Sequence, residues 1–135
     1  MTDTYRANLI REAECSMQKS YSPYSNNKVG AALITETGQI YLGANIGNAC
    51  STLNCCAEQV AVSAAVMSED MKFKAIAIVQ SSGDSCLPCG RCLQLLSEFA
   101  DDMIVLTKNA GAIVEYQLKF LLPVPFRRSE TLINR

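Results

Sequence analysis

Between residues 3 and 19, Tyr5, Leu9, Ala13 and Met17 recur every four positions, with Ala7 and Ile10 beside them. That period predicts a helix, which Thr2 or Asp3 can cap. Ser20 to Asn27 is a loop by composition. Val29 to Thr35 is a short apolar run, read as a buried strand; Glu36 to Gln39 is a turn, and Gln39 to Ala44 the returning strand. Asn45 to Cys55 is polar and reads as a loop. Cys56 to Ser68 carries Val60, Ala61, Ala64, Ala65 and Met67 at helical spacing. Lys74 to Gln80 is rich in Ile and Val and predicts a strand, followed by a loop over Ser81 to Leu87. Pro88 to Phe99 predicts a second helix with Leu93, Leu96 and Phe99 on one face. Met103 to Thr107 and Ala112 to Tyr116 are strands around Asn109-Ala110-Gly111, and Gln117 to Leu122 is a short helix stopped by Pro123. The tail, Pro125 to Arg135, is polar and is expected to be exposed or to cover a subunit. The order α-β-β-α-β-α-β-β-α implies an α/β fold, a three-layer α-β-α sandwich on a mixed five-stranded sheet.

Composition narrows the functional classes. The 135 residues suit one compact domain over 1–135, with no repeat or linker. Twelve Lys+Arg against thirteen Asp+Glu give a net charge of −1, so there is no basic face for a nucleic acid. No apolar run reaches the ~18 residues of a membrane span, and the first residues lack the apolar core of a signal peptide. No membrane association and a cytoplasmic location are therefore expected. Seven cysteines without an export signal do not read as a disulfide framework. There is no histidine, which excludes histidine triads and histidine metal ligands.

The candidate chemistry lies in two short stretches, Cys55-Cys56-Ala57-Glu58-Gln59 and Pro88-Cys89-Gly90-Arg91-Cys92. Cys89 and Cys92 stand one turn apart at a predicted helix start, where the helix dipole favours thiolates. Two such thiolates can grip one ion from the same side. Zn2+ takes three protein ligands and an open position in catalytic sites; Cys56, at another helix start, supplies the third. A redox pair and a structural four-thiolate site using Cys55 or Cys86 are the alternatives. Glu58, two residues beyond Cys56, favours the catalytic reading, because a structural site has no need of that carboxylate.

These motifs resemble the cytidine deaminase family in its three-cysteine form. Ser22-Pro23-Tyr24-Ser25, Val29-Gly30-Ala31-Ala32-Leu33, Gly43-x-Asn45-Ile46-x-Asn48-Ala49 and Leu121-Leu122-Pro123-x-x-Phe126 extend the resemblance over about residues 5 to 126. The resemblance implies hydrolytic deamination of a small aminopyrimidine. Zinc would be held by Cys56, Cys89 and Cys92, with Glu58 as proton carrier. The Ala57 N–H would bond the ring carbonyl and Asn45 a ribose hydroxyl. It also implies a homotetramer in which Phe126 stacks near the base in a neighbouring subunit's pocket.

The chain departs from that family's pattern at substrate-facing positions. Gly47 stands where a sugar-binding glutamate is usual, Asn27 and Lys28 where an aromatic residue precedes the Val-Gly-Ala-Ala strand, and Ser51 where a tyrosine is common. Gln59 replaces the arginine that follows the glutamate and offsets the negative charge of zinc with three thiolates; Arg91 is the candidate replacement. The glutamate without arginine, together with Pro-Cys-Gly-Arg-Cys, resembles blasticidin S deaminase. The expectation is a cytosine-type nucleoside or a modified analogue, with a nucleoside antibiotic such as blasticidin S or another aminopyrimidine as the alternative and a non-catalytic zinc-stapled domain as the more distant one.

Overall fold

The structure, a computed structural model, describes residues 1–128; the last seven residues of the tail considered above lie outside them. The chain runs α1 (Asp3–Met17), β1 (Val29–Thr35), β2 (Ile40–Ala44), α2 (Ala57–Met67), β3 (Phe73–Gln80), α3 (Gly90–Ser97), β4 (Ile104–Asn109), β5 (Ala112–Gln117) and α4 (Leu118–Leu121), with a 3-10 turn at Ser51–Leu53. The predicted order of elements is the one observed. The five strands form one mixed sheet in the order β2-β1-β3-β4-β5. Only the β3–β4 pair is parallel, and α3 is its crossover; the other pairs are antiparallel.

Two cores explain the layering. On one face Ala31, Leu33, Ile76, Ile78 and Val105 pack with Ala57, Ala61 and Ala65 of α2 and Leu96 of α3. On the other face Ala32, Ile34, Ala75, Ala77, Val79 and Leu106 pack with Leu9, Ile10 and Ala13 of α1. Successive strand residues point to opposite faces, so the central strands are apolar without interruption. The three layers are α1, the sheet, and the face carrying α2 and α3. No helix of the described residues is long and apolar enough to cross a membrane.

Helix starts refine the expectation. Thr2 caps α1, its hydroxyl accepting from the Tyr5 N–H at 3.1 Å. The second site-bearing helix begins later than expected: Cys89 is the N-cap of α3 and Pro88 precedes it. Proline fits there because it has no N–H to satisfy and favours the extended approach to the cap. Two glycines allow close layering. A Cβ on Gly30 would lie 2.1 Å from the Ala13 carbonyl oxygen, and one on Gly43 would lie 2.1 Å from that of Ala57.

Candidate active site

Two helix N-termini converge at one end of the sheet. Cys56 is the N-cap of α2, Cys89 the N-cap of α3, and Cys92 lies in the first turn of α3. α3 begins after the C-terminal end of β3, where open α/β sheets place their sites. The three sulfurs lie within 4.8 Å of one another. Tetrahedral zinc with bonds of ~2.3 Å needs sulfurs about 3.8 Å apart, so this cluster fits the ion with small side-chain adjustments. An all-thiolate set on two positive helix ends also suits zinc chemically. The structure does not bring Cys55 or Cys86 into the cluster.

Electrostatics here are those of crowded acids. Burial raises the Cys92 thiol strongly, and the charges of Glu58 and Cys56 add to it. Burial also acts upward on Cys89, but hydrogen bonds from the Cys92 backbone and thiol, the Arg91 N–H and the Cys56 thiol outweigh it and lower its pKa. Thiolates this close repel one another, so a full set of them calls for a cation in their midst.

Glu58 is buried, only 4% exposed, in the first turn of α2. Burial lifts its carboxyl above the ordinary range, opposed by its own backbone N–H, the Cys92 thiol and the charge of Arg91. A carboxyl whose pKa is shifted upward by burial holds a proton more readily than a free one, and so can both take and return it.

Arg91 reaches back across the gap between the helices. Its Nη2 lies 3.4 Å from Cys56 Sγ and 3.2 Å from Gln59 Oε1. The hydrogen bond to Cys56 raises its pKa, so it stays charged.

A cavity of about 370 Å³ opens beside the cluster, lined by Tyr24, Ser25, Asn27 and Val29, by Asn45 to Gly47, by Asn54 to Glu58, and by Cys86, Leu87 and Cys89. That volume suits a small ligand. Neither lysine nor arginine is among the lining residues. Ala57 is the first residue of α2, so its N–H has no acceptor within the helix. Asn45 lines the cavity with its amide largely engaged. Its Oδ1 accepts from Val29 N at 2.8 Å and from the Ser20 hydroxyl, and its Nδ2 donates to Asn27 O at 2.9 Å. One Nδ2 hydrogen is left for a ligand. Phe126 does not line this cavity; it is 73% exposed, with its backbone bonded to Gln94 of α3.

Sequence reasoning missed three contributors. Tyr24, named above only as part of the Ser22–Ser25 motif, is exposed at the cavity rim. Cys86, considered above only as a fourth ligand of a structural site, forms part of the cavity wall; burial pushes its pKa up to about 11, with the charges of Glu58 and Cys56 contributing. Gln94, which holds Phe126, was not singled out. Its only signal was its position two residues after Cys92.

Both the sequence and the fold are similar to those of known proteins. Residues 4–108 match the family described as the cytidine and deoxycytidylate deaminase zinc-binding region. A cytidine deaminase of Sporosarcina psychrophila is 38% identical over 124 residues, covering 90% of this chain and 91% of its own. The blasticidin-S deaminase of Bacillus cereus is 31% identical over 126 residues, covering 86% of this chain and 90% of its own. The crystal structure of cytidine deaminase from Burkholderia pseudomallei superimposes with a TM-score of 0.85 at 36% identity, covering 93% of this chain and all of that one. The chain, with its paired helix-start thiols and buried glutamate, therefore belongs to the cytidine and deoxycytidylate deaminase family.

Proposed function

We propose that this protein hydrolyses the amino group of a cytosine-type nucleoside, giving the uracil-type product and ammonia. The observation that carries the reading is Glu58, a buried carboxyl with a raised pKa set against three clustered thiols at the end of a ligand-sized cavity. Cys56, Cys89 and Cys92 would hold zinc, which when bound makes water acidic enough to act as a nucleophile near neutral pH. Glu58 takes a proton from the attacking water and delivers it to the ring nitrogen beside the amine-bearing carbon. It then passes the second proton to the departing amine, and a carbonyl remains where the amine stood. The Ala57 N–H binds the ring carbonyl, and the free Nδ2 hydrogen of Asn45 binds a sugar hydroxyl. Zinc and three thiolates sum to −1, and Arg91 beside Cys56 offsets that charge.

The cavity favours a nucleoside over a nucleotide, because no cationic side chain lines it to receive a phosphate. Gly47 lines the cavity and offers the sugar no side chain; a Cβ there would sit a tight 3.3 Å from the Tyr21 carbonyl oxygen, so the wall is bare backbone at this point. The missing side chain supports a second reading, a nucleoside with an enlarged or modified sugar, such as blasticidin S. The exposed Phe126 supports a homotetramer in which this ring enters a neighbour's cavity. Net charge and the lack of a long apolar helix among the described residues support a cytoplasmic enzyme, with residues 1–135 as one domain.

The test is a deamination screen over cytidine, deoxycytidine, deoxycytidylate, cytosine and blasticidin S, with zinc content measured in parallel and Glu58→Ala as control. Turnover of nucleosides in preference to deoxycytidylate, abolished in Glu58→Ala with zinc retained, is the expected result. Stoichiometric zinc with no turnover of any compound would leave the zinc as a structural staple.

A further inference from the structure

Gln59 makes two contacts that meet at one atom. Its Oε1 accepts from the Cys56 backbone N–H at 2.9 Å and from Arg91 Nη2 at 3.2 Å. The same Nη2 lies 3.4 Å from Cys56 Sγ. We propose that Gln59 is a positioning residue for the metal centre: it holds the Arg91 guanidinium on Cys56 and thereby slows metal release. The inference rests on the zinc reading of the thiol cluster.

Arg91 is an exposed side chain on α3, 32 residues away from Gln59 in sequence. An exposed arginine loses much rotamer freedom when it is held in one place, and one contact to a soft sulfur is a weak anchor. Gln59 supplies a second, harder acceptor. That acceptor is itself oriented, because the Cys56 N–H fixes the amide from below. A carbonyl oxygen has two lone pairs, so it can accept both bonds at once. The residue type matters for charge. A lysine or arginine at this position would repel Arg91, and a carboxylate would add another negative charge beside a centre that already sums to −1. A neutral amide binds both partners and changes no charge. The same contacts tie the start of α2 to the start of α3, the two helix ends that carry the thiols.

Gln59 also occupies the third helical position of α2, where its bond to the Cys56 N–H closes a cap. Capping alone would make it a stabiliser of α2 with no connection to Arg91. A double-mutant cycle separates the two roles. Zinc release into excess chromogenic chelator is timed for wild type, Gln59→Ala, Arg91→Ala and the double variant. Gln59→Met, which keeps length and helix propensity without an acceptor, serves where the alanine variant folds poorly. Each single variant is expected to release zinc about tenfold faster, the lower end of effects seen for groups that orient metal ligands. The double variant is expected to release no faster than Arg91→Ala. Multiplying rates in the double variant would overturn the positioning role and leave Gln59 a cap. A wild-type protein that holds no zinc would instead overturn the metal reading itself.

Discussion

The side-chain amide of Gln94 binds the backbone of Phe126 from both ends: Gln94 Nε2 donates to Phe126 O at 2.9 Å, and Phe126 N donates to Gln94 Oε1 at 3.0 Å. Arg127 adds a bond to the Ser97 carbonyl at 2.6 Å and pairs with Asp101 at 3.6 Å. The segment is thus fastened along α3 while the Phe126 ring stays in solvent. A rigid exposed aromatic is a preorganised contact for another surface. On the proposal that this ring stacks in a neighbour's cavity, Phe126→Ala is expected to raise KM roughly two- to tenfold, from the ~0.5–1.5 kcal/mol of an aromatic contact. Gln94→Ala is expected to raise KM in the same direction, with kcat and zinc content near wild type. Steady-state kinetics check this, and unchanged KM in both variants would detach the segment from the site.

Gly43 lets α2 approach the sheet, and α2 carries Cys56 and Glu58. A Cβ at Gly43 would fall 2.1 Å from Ala57 O and 2.6 Å from Ala61 N, both backbone atoms of that helix. Neither can swing aside as a side chain would. Gly43→Ala is expected to cost at least about 2 kcal/mol, at the upper end of overpacking effects, and to lower zinc occupancy. Gly30→Ala makes an equivalent clash with α1, 2.1 Å from Ala13 O. It is expected to destabilise to a similar degree while leaving the folded fraction fully loaded with zinc. Denaturant melts read alongside metal content distinguish the two.

What could be read from the chain follows from what is local. Val29 to Thr35 announced a buried strand because both of its faces are covered, and the two C-terminal strands were marked by the Asn109-Ala110-Gly111 turn between them. The thiol cluster was legible because Cys56 and the Cys89–Cys92 pair sit at helix starts, even though cysteine is not a usual N-cap. The start of α3 was misjudged for the same reason: Pro88 is the stronger local signal, yet the cap is Cys89. Contacts between distant segments were harder to read. Gln59–Arg91 and Gln94–Phe126 each join residues 32 apart in sequence, and no periodicity encodes such a pair. The cavity lining draws on four separate segments, so Tyr24 and Cys86 gain their place only when these meet.

Glu69 ends α2 in a conformation suited to glycine. Its φ is 54°, its N–H bonds Val66 O at 2.9 Å, and the Asp70 N–H bonds Ala65 O at 3.0 Å. This is the Schellman arrangement, with a left-handed residue just past the cap. A side chain there strains the backbone, by roughly 1–2 kcal/mol for L-residues, part of which glycine returns through its greater freedom when unfolded. Glu69→Gly is expected to stabilise the protein by about 0.5–1 kcal/mol with kcat and KM unchanged. A denaturation midpoint at or below wild type would mean that Glu69 makes a compensating contact.

Asp70, next in the chain, gathers three hydroxyls on one carboxylate oxygen: Thr35 at 2.8 Å, Thr37 at 2.9 Å and Tyr41 at 3.0 Å. Desolvation acts to raise its pKa, but these three bonds outweigh it and the carboxyl sits below the ordinary aspartate range. The same contact holds Tyr41 up, after burial as the larger cause. The sign for stability follows directly. A carboxyl with a lowered folded pKa contributes fully above its unfolded value, about 3.9, and loses that contribution as pH falls through the folded value. Asp70→Asn keeps an acceptor but loses the charge. It is expected to melt below wild type at pH 7, with the gap closing as pH drops beneath about 4. Acid-induced changes at the thiol cluster affect both proteins alike, so the difference between the two melting curves isolates Asp70. A gap that stays constant down to low pH would show that the hydroxyls bind the amide as well as they bind the carboxylate.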